Sequence, residues 1–145
     1  MALAALLAAC GGGSGGLPIE ITGDVTHTLN PTIREVRPVE SATKAGTANM
    51  LYLSENGNDL VIVIFPVDTK AGTYTIGKGA IGASYLHKAN NDLNTFSGEA
   101  GTLTLEAVGQ TFSGSFDFNG RLYASDGTSQ AVKVTGAFRD VPLSP

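Results

Sequence analysis

The sequence predicts an all-β domain: an antiparallel β-sandwich of about nine or ten strands, with a closed up-and-down β-barrel as the alternative. Three observations predict it. Apolar and polar residues alternate with a period of two along most of the chain, which turns one face of each strand to a core and the other to water. The 145 residues include 19 glycines, and pairs such as Asn56-Gly57, Asn119-Gly120 and Asp126-Gly127 between those runs suit tight turns. Threonines are frequent inside the runs, and threonine favours strands over helices. The length suits one domain and supports a core without disulfide or metal staples. A single cysteine makes no internal disulfide. The net charge is −4, with nine Lys plus Arg and no basic run, which argues against nucleic acid as a partner.

Residues 1–9, "MALAALLAA", are small and apolar throughout. They are far too few to span a bilayer, which takes about 20 residues, but they suit the apolar stretch of a secretory signal. No positive charge precedes them, so the expectation is the remnant of a signal peptide whose start lies upstream. Leu7-Ala8-Ala9-Cys10 resembles the lipobox of bacterial lipoproteins. The resemblance implies that the Cys10 sulfur receives a diacylglyceryl group and that cleavage makes Cys10 the first mature residue. Residues 11–16, "GGGSGG", then read as a flexible tether. Acyl chains would anchor the protein, each buried methylene contributing about 0.8 kcal/mol. Residues 10–16 thus form the lipidated cysteine and its tether, and 17–145 a single β domain.

Within that domain Ile19, Ile21, Val25 and His27 share one parity and read as the first strand region. Residues 31–46 are the least patterned. They allow a short helix from Pro38, where proline suits a first helical turn, or a simple crossing segment. Asn56-Gly57 separates "NMLYLSE" from "DLVIVIF" and marks a hairpin. Residues 60–65 are apolar on both parities, which reads as a strand covered on both faces; the alternative is an exposed binding patch. Further strands are expected at 72–77, with Tyr74 and Ile76 inward, and at 81–88 and 94–99.

The last third reads as a meander of strands at 102–108, 111–118, 121–125 and 130–139. Its inward rows are Leu103, Leu105 and Ala107; Phe112, Gly114, Phe116 and Phe118; and Val132, Val134, Gly136 and Phe138. Gly109-Gln110, Asn119-Gly120 and Asp126-Gly127 supply the expected turns. With its lipobox, tether and segments such as "GTYTI", "GTLTL", "FSGSFDF" and "VTGAFRDVPL", the chain resembles small uncharacterised bacterial lipoproteins over most of residues 6–143. That resemblance carries no catalytic residue with it.

Motifs for chemistry are sparse. No HExxH, paired-cysteine, GxSxG or phosphate-loop-before-helix pattern occurs. "GKGAIG" at 77–82 joins two expected strands and lacks the helix that phosphate binding uses. "HKANNDLNT" at 87–95 is oxygen-rich but lacks calcium-loop spacing and reads as a polar loop. His27 and His87 both fall on apolar parities and read as strand-end residues at the rim of the core. A metal or base role would need a third group such as Asp24 or Asp92.

The expectation is therefore no catalytic residue, no cofactor and no metal. The leading reading is a non-enzymatic binding or structural domain anchored by lipid to a membrane of the bacterial cell envelope, with the domain outside the cytoplasm. The alternative is a carrier of a small apolar ligand in a barrel cavity, and the third an enzyme or metal site using His27 and His87. A cavity lined by Tyr52, Phe65, Phe116 and Phe138 would favour the carrier. A solid core with an apolar outer face over 48–65 would favour a protein partner. Convergence of His27, His87 and a carboxylate would favour the third.

Overall fold

Alternation becomes architecture in a computed structural model that describes residues 17–40, 47–77, 79–89 and 92–144. Cys10, the signal remnant and the tether lie outside the described residues. Ten strands and no helix occur among the described residues: β1 (Ile19–Gly23), β2 (His27–Leu29), β3 (Ile33–Glu40), β4 (Thr47–Glu55), β5 (Asp59–Pro66), β6 (Gly72–Ile76), β7 (Gly82–Ala89), β8 (Asp92–Ala107), β9 (Thr111–Tyr123) and β10 (Ser129–Pro142). All belong to one antiparallel sheet in the order β2-β1-β10-β9-β8-β7-β5-β4-β3. The sheet curls strongly into a half-barrel. Both β6 and β7 pair with β8, β7 along its first half and β6 along its second.

The predicted inward rows form the core. Phe112, Phe116, Phe118, Val132, Val134 and Phe138 are all buried, as are Ile19, Ile21, Leu103 and Leu105. Phe116 on β9 lies 6.1 Å from Phe138 on the neighbouring β10, and Phe65 on β5 packs 5.9 Å from Phe112 on β9, strands that are not neighbours in the sheet order. Ala107, expected inward, is exposed, because the register between β8 and β9 shifts between Leu105 and Ala107. Ile76 is buried and Tyr74 packs against the core from its edge.

Four expectations are corrected. Residues 33–40 form β3 and run through Pro38 as a strand, so no helix starts there. Pro38 is tolerated because β3 ends the sheet order, and an edge strand has no ladder partner to receive the missing N–H. Asn119-Gly120 makes no turn: β9 continues through it, and Gly120 is buried between Phe96 and Val132. The two strands expected at 94–99 and 102–108 are one long β8, with an irregular register between Gly98 and Ala100. Finally, residues 60–65 are not sealed on both faces. Val61, Val63 and Phe65 are fully buried, whereas Leu60, Ile62 and Ile64 are half-buried.

The curl brings β10 and the segment after it against β3, far from β10 in the sheet order. After β10, Leu143 bridges Val36 of β3 in parallel, and the Ser144 N–H donates to the Val36 carbonyl at 2.7 Å. The Ser144 hydroxyl donates to Glu35 Oε1 at 2.9 Å, and Arg34 reaches the Arg139 carbonyl at 3.3 Å. Asn56 and Gly57 close the β4–β5 hairpin with φ of 50° and 75°, the two positive values that a type I′ turn requires. That turn fixes where the candidate site forms.

Candidate functional site

The β4–β5 turn lifts two carboxylates to one rim of the half-barrel. Glu55 ends β4 and Asp59 opens β5, directly opposite each other in register. Asp59 lies on the inward row with Val61, Val63 and Phe65 and is only 6% exposed. Neighbouring β7 places His87 beside it, again by register. His27 arrives from β2, at the other end of the sheet order.

These side chains converge. His87 Nδ1 lies 3.1 and 3.2 Å from the two Asp59 carboxylate oxygens. His27 Nε2 lies 3.0 Å from Glu55 Oε1 and 3.5 Å from Asp59 Oδ2. The Tyr85 hydroxyl donates to Asp59 Oδ2 at 2.8 Å and lies 3.3 Å from His87 Nδ1. Burial holds the Tyr85 phenol well above its ordinary value, and the hydrogen bond to Asp59 adds to that shift. Tyr85 therefore stays a donor, and Asp59 is the common acceptor of the cluster. A shallow pocket of about 300 Å³ opens over it, lined by His27, Glu55, Asn56, Asn58, Asp59 and His87.

Both histidines thus sit at the core rim, and a carboxylate does join them. It comes from Glu55 and Asp59, not from Asp24, whose carboxylate accepts the Ala131 N–H at 2.8 Å. Among the described residues no group of three or more His, Cys, Asp or Glu side chains is arranged to hold a metal ion. The imidazole nitrogens that face the carboxylates are engaged with them. Asp59 was missed although its position is legible: it heads "DLVIVIF" on the buried parity, where a carboxylate needs partners. His87 lies 28 residues after Asp59 and His27 lies 28 residues before Glu55, and only the fold brings them together.

The opposite end of the β4–β5 hairpin is different in kind. There a mouth of about 520 Å³ is lined by Pro38, Asn49, Val67, Asp68, Thr69, Lys70, Val108, Gly109, Phe112 and Leu143. Val67, Val108 and Leu143 are exposed apolar side chains on its rim.

A third surface is the outer face of β4, β5 and β7. Register sets Ile62 between Tyr52 and Ser84, Ile64 between Met50 and Gly82, and Leu60 between Ser54 and Leu86. Met50, Tyr52, Leu60, Ile62, Ile64 and Leu86 are all half-buried. The Arg37 guanidinium covers the Tyr52 ring at 4.7 Å and is hydrogen-bonded to Glu35, which bounds the patch with charge. Tyr52 is therefore an outer-face residue, while Phe65, Phe116 and Phe138 are buried on the inner face.

A family model described as a domain of unknown function (DUF6252) matches residues 40–142. No curated protein and no solved structure matches the chain.

Proposed function

We propose, for a chain that belongs to the DUF6252 family of domains of unknown function, a non-enzymatic binding module held at the bacterial cell envelope by lipid on Cys10. The observation that carries the binding half of this reading is the outer face of β4, β5 and β7. Six half-buried apolar side chains form one continuous row set there, on the side of the sheet opposite the buried phenylalanines. Contiguous apolar surface bounded by charge fits a protein partner. The envelope half rests on the Leu7-Ala8-Ala9-Cys10 pattern and the tether that follows it.

For the finer fold we favour barrel-type closure over a sandwich. The Leu143–Val36 bridge and the His27–Glu55 contact support it, since the first ties the segment after β10 to β3 and the second ties β2 to β4, strands far apart in one sheet. The reading that uses His27 and His87 as an enzyme or metal site ranks below binding. Their convergence on Asp59 supports it, and the engagement of their nitrogens by carboxylates weighs against it.

Fractionation of cells tests the proposal. Cys10→Ala should move the protein from the membrane fraction to the soluble fraction, with its β-type circular dichroism spectrum unchanged. Retention in the membrane fraction would overturn the anchor. Ile62→Glu should leave that spectrum intact while abolishing any cross-linked partner band that the wild-type protein forms in intact cells. An unchanged band would remove the outer face from the reading.

A further inference from the structure

The mouth beside Asn49 has a feature that packing alone does not explain. Asn49 lies on the inward row of β4 with Leu51 and Leu53, which are fully buried, and is itself only 6% exposed. Its neighbours across the ladders are Pro38 on β3 and Phe65 on β5, both without polar side chains. The Asn49 amide has no hydrogen-bond partner among the described residues. Every fully sealed polar side-chain atom there does have one, so the Asn49 amide opens onto the mouth. An amide offers one acceptor oxygen and two donor hydrogens, and a nearly buried one with none of them used by the described residues favours a ligand that uses them.

The surroundings define the rest of that ligand. Phe112, paired with Phe65 at 5.9 Å, forms an apolar floor. Val67, Val108, Leu143 and Pro38 form apolar walls. Asp68 and Lys70 both stand at the rim, so their opposite charges give no preference for an ion of either sign. A volume of about 520 Å³ lies within the usual range of roughly 300–1,000 Å³ for small-molecule sites. We infer that this mouth binds a small, neutral, mainly apolar molecule carrying one amide, carbonyl or hydroxyl group, which pairs with Asn49 while its body rests on Phe112. The occupant enters at the open end of the half-barrel and does not need an enclosed interior. The inference goes beyond the outer-face reading and is independent of it, because the two surfaces share no residue.

The test uses the full chain and a fluorescent reporter of apolar sites, N-phenyl-1-naphthylamine, whose single amine N–H can donate to the Asn49 amide oxygen, with decanamide as the competitor of the stated chemistry. The wild type should bind the reporter saturably, and decanamide should displace it. Asn49→Leu should weaken binding at least tenfold yet melt no lower than the wild type, since it fills a core-row position with an apolar side chain. Val108→Asp, on the exposed rim, should also weaken binding. Ile62→Glu, on the outer face, should bind as the wild type does. Absence of saturable binding would overturn the inference, as would equal binding by Asn49→Leu. A lower melting temperature for Asn49→Leu would mark Asn49 as a structural residue and overturn its role. None of these results depends on Cys10 or on the outer face, so failure here and failure of the proposed function are distinguishable.

Discussion

Asp59 is a carboxylate at a core position, and its neighbours explain how it stays there. A charge taken out of water must be paired or hydrogen-bonded. Tyr85 donates to it, His87 flanks it and His27 approaches from a distant strand. Removing one donor while leaving the acceptor buried costs more than the bond itself contributes. Tyr85→Phe keeps the ring contact with Phe96 at 5.8 Å but deletes the hydroxyl. It should lower unfolding free energy by about 1–3 kcal/mol, measured by urea denaturation. A change within experimental error would show that the histidines alone satisfy Asp59. Asn49 presents the opposite case: a polar group in the inward row of β4 with its hydrogen bonds unspent, at a place where water or a ligand has access.

At the scale of elements, close approach decides where glycine is needed. Gly114 sits mid-β9 on the inward row, and a Cβ there would stand 2.0 Å from the Thr104 carbonyl oxygen of β8. Backbone cannot give way as a flexible side-chain tip can. Gly114→Ala should therefore destabilise the domain by about 2–3 kcal/mol in thermal or urea unfolding. Gly82→Ala, at a position where nothing lies within 4 Å, should cost no stability. Equal effects of the two substitutions would refute the close-approach account. The same packing explains the missing Asn119-Gly120 turn. The dipeptide has strong turn chemistry, but Gly120 fills a core-row gap against the Phe96 side chain, with β8 on one side and β10 on the other. Tertiary pairing outweighed local preference there. At Asn56-Gly57 nothing competed, and the turn formed as its residues dictate.

At the scale of the whole molecule, the curl of the sheet brings β10 and the tail after it against β3. Glu35 contributes to one such contact. Its hydrogen bond from Arg37 holds the carboxyl below its ordinary value of 4.5, and the bond from Ser144 of the C-terminal tail lowers it further. A depressed folded-state value means that this stabilisation is fully present above pH 4.5 and is lost as pH falls through the lower, folded value. Glu35→Gln should then melt below the wild type at neutral pH, by about 1–3 °C for a contact open to solvent. The gap should close in strong acid. A gap that persists unchanged in acid would locate the loss elsewhere than in the Glu35 charge. The tail also places Leu143 at the mouth beside Asn49, so the contact between tail and β3 and the shape of that mouth are linked.

The sequence by itself determined the strand class, most inward rows, the β4–β5 turn and the restriction of both histidines to the core rim. These follow from period-two alternation and from turn residues, which act within a few positions of each other. Tertiary structure alone decided that β3 passes through Pro38, that β8 and β9 are long, and that the sheet curls on itself. It also brought His27, Glu55, Asp59 and His87 together and left the Asn49 amide facing an apolar mouth. Those outcomes depend on cross-strand register and sheet order, which join residues far apart in the chain, and alternation is the same whichever strands become neighbours.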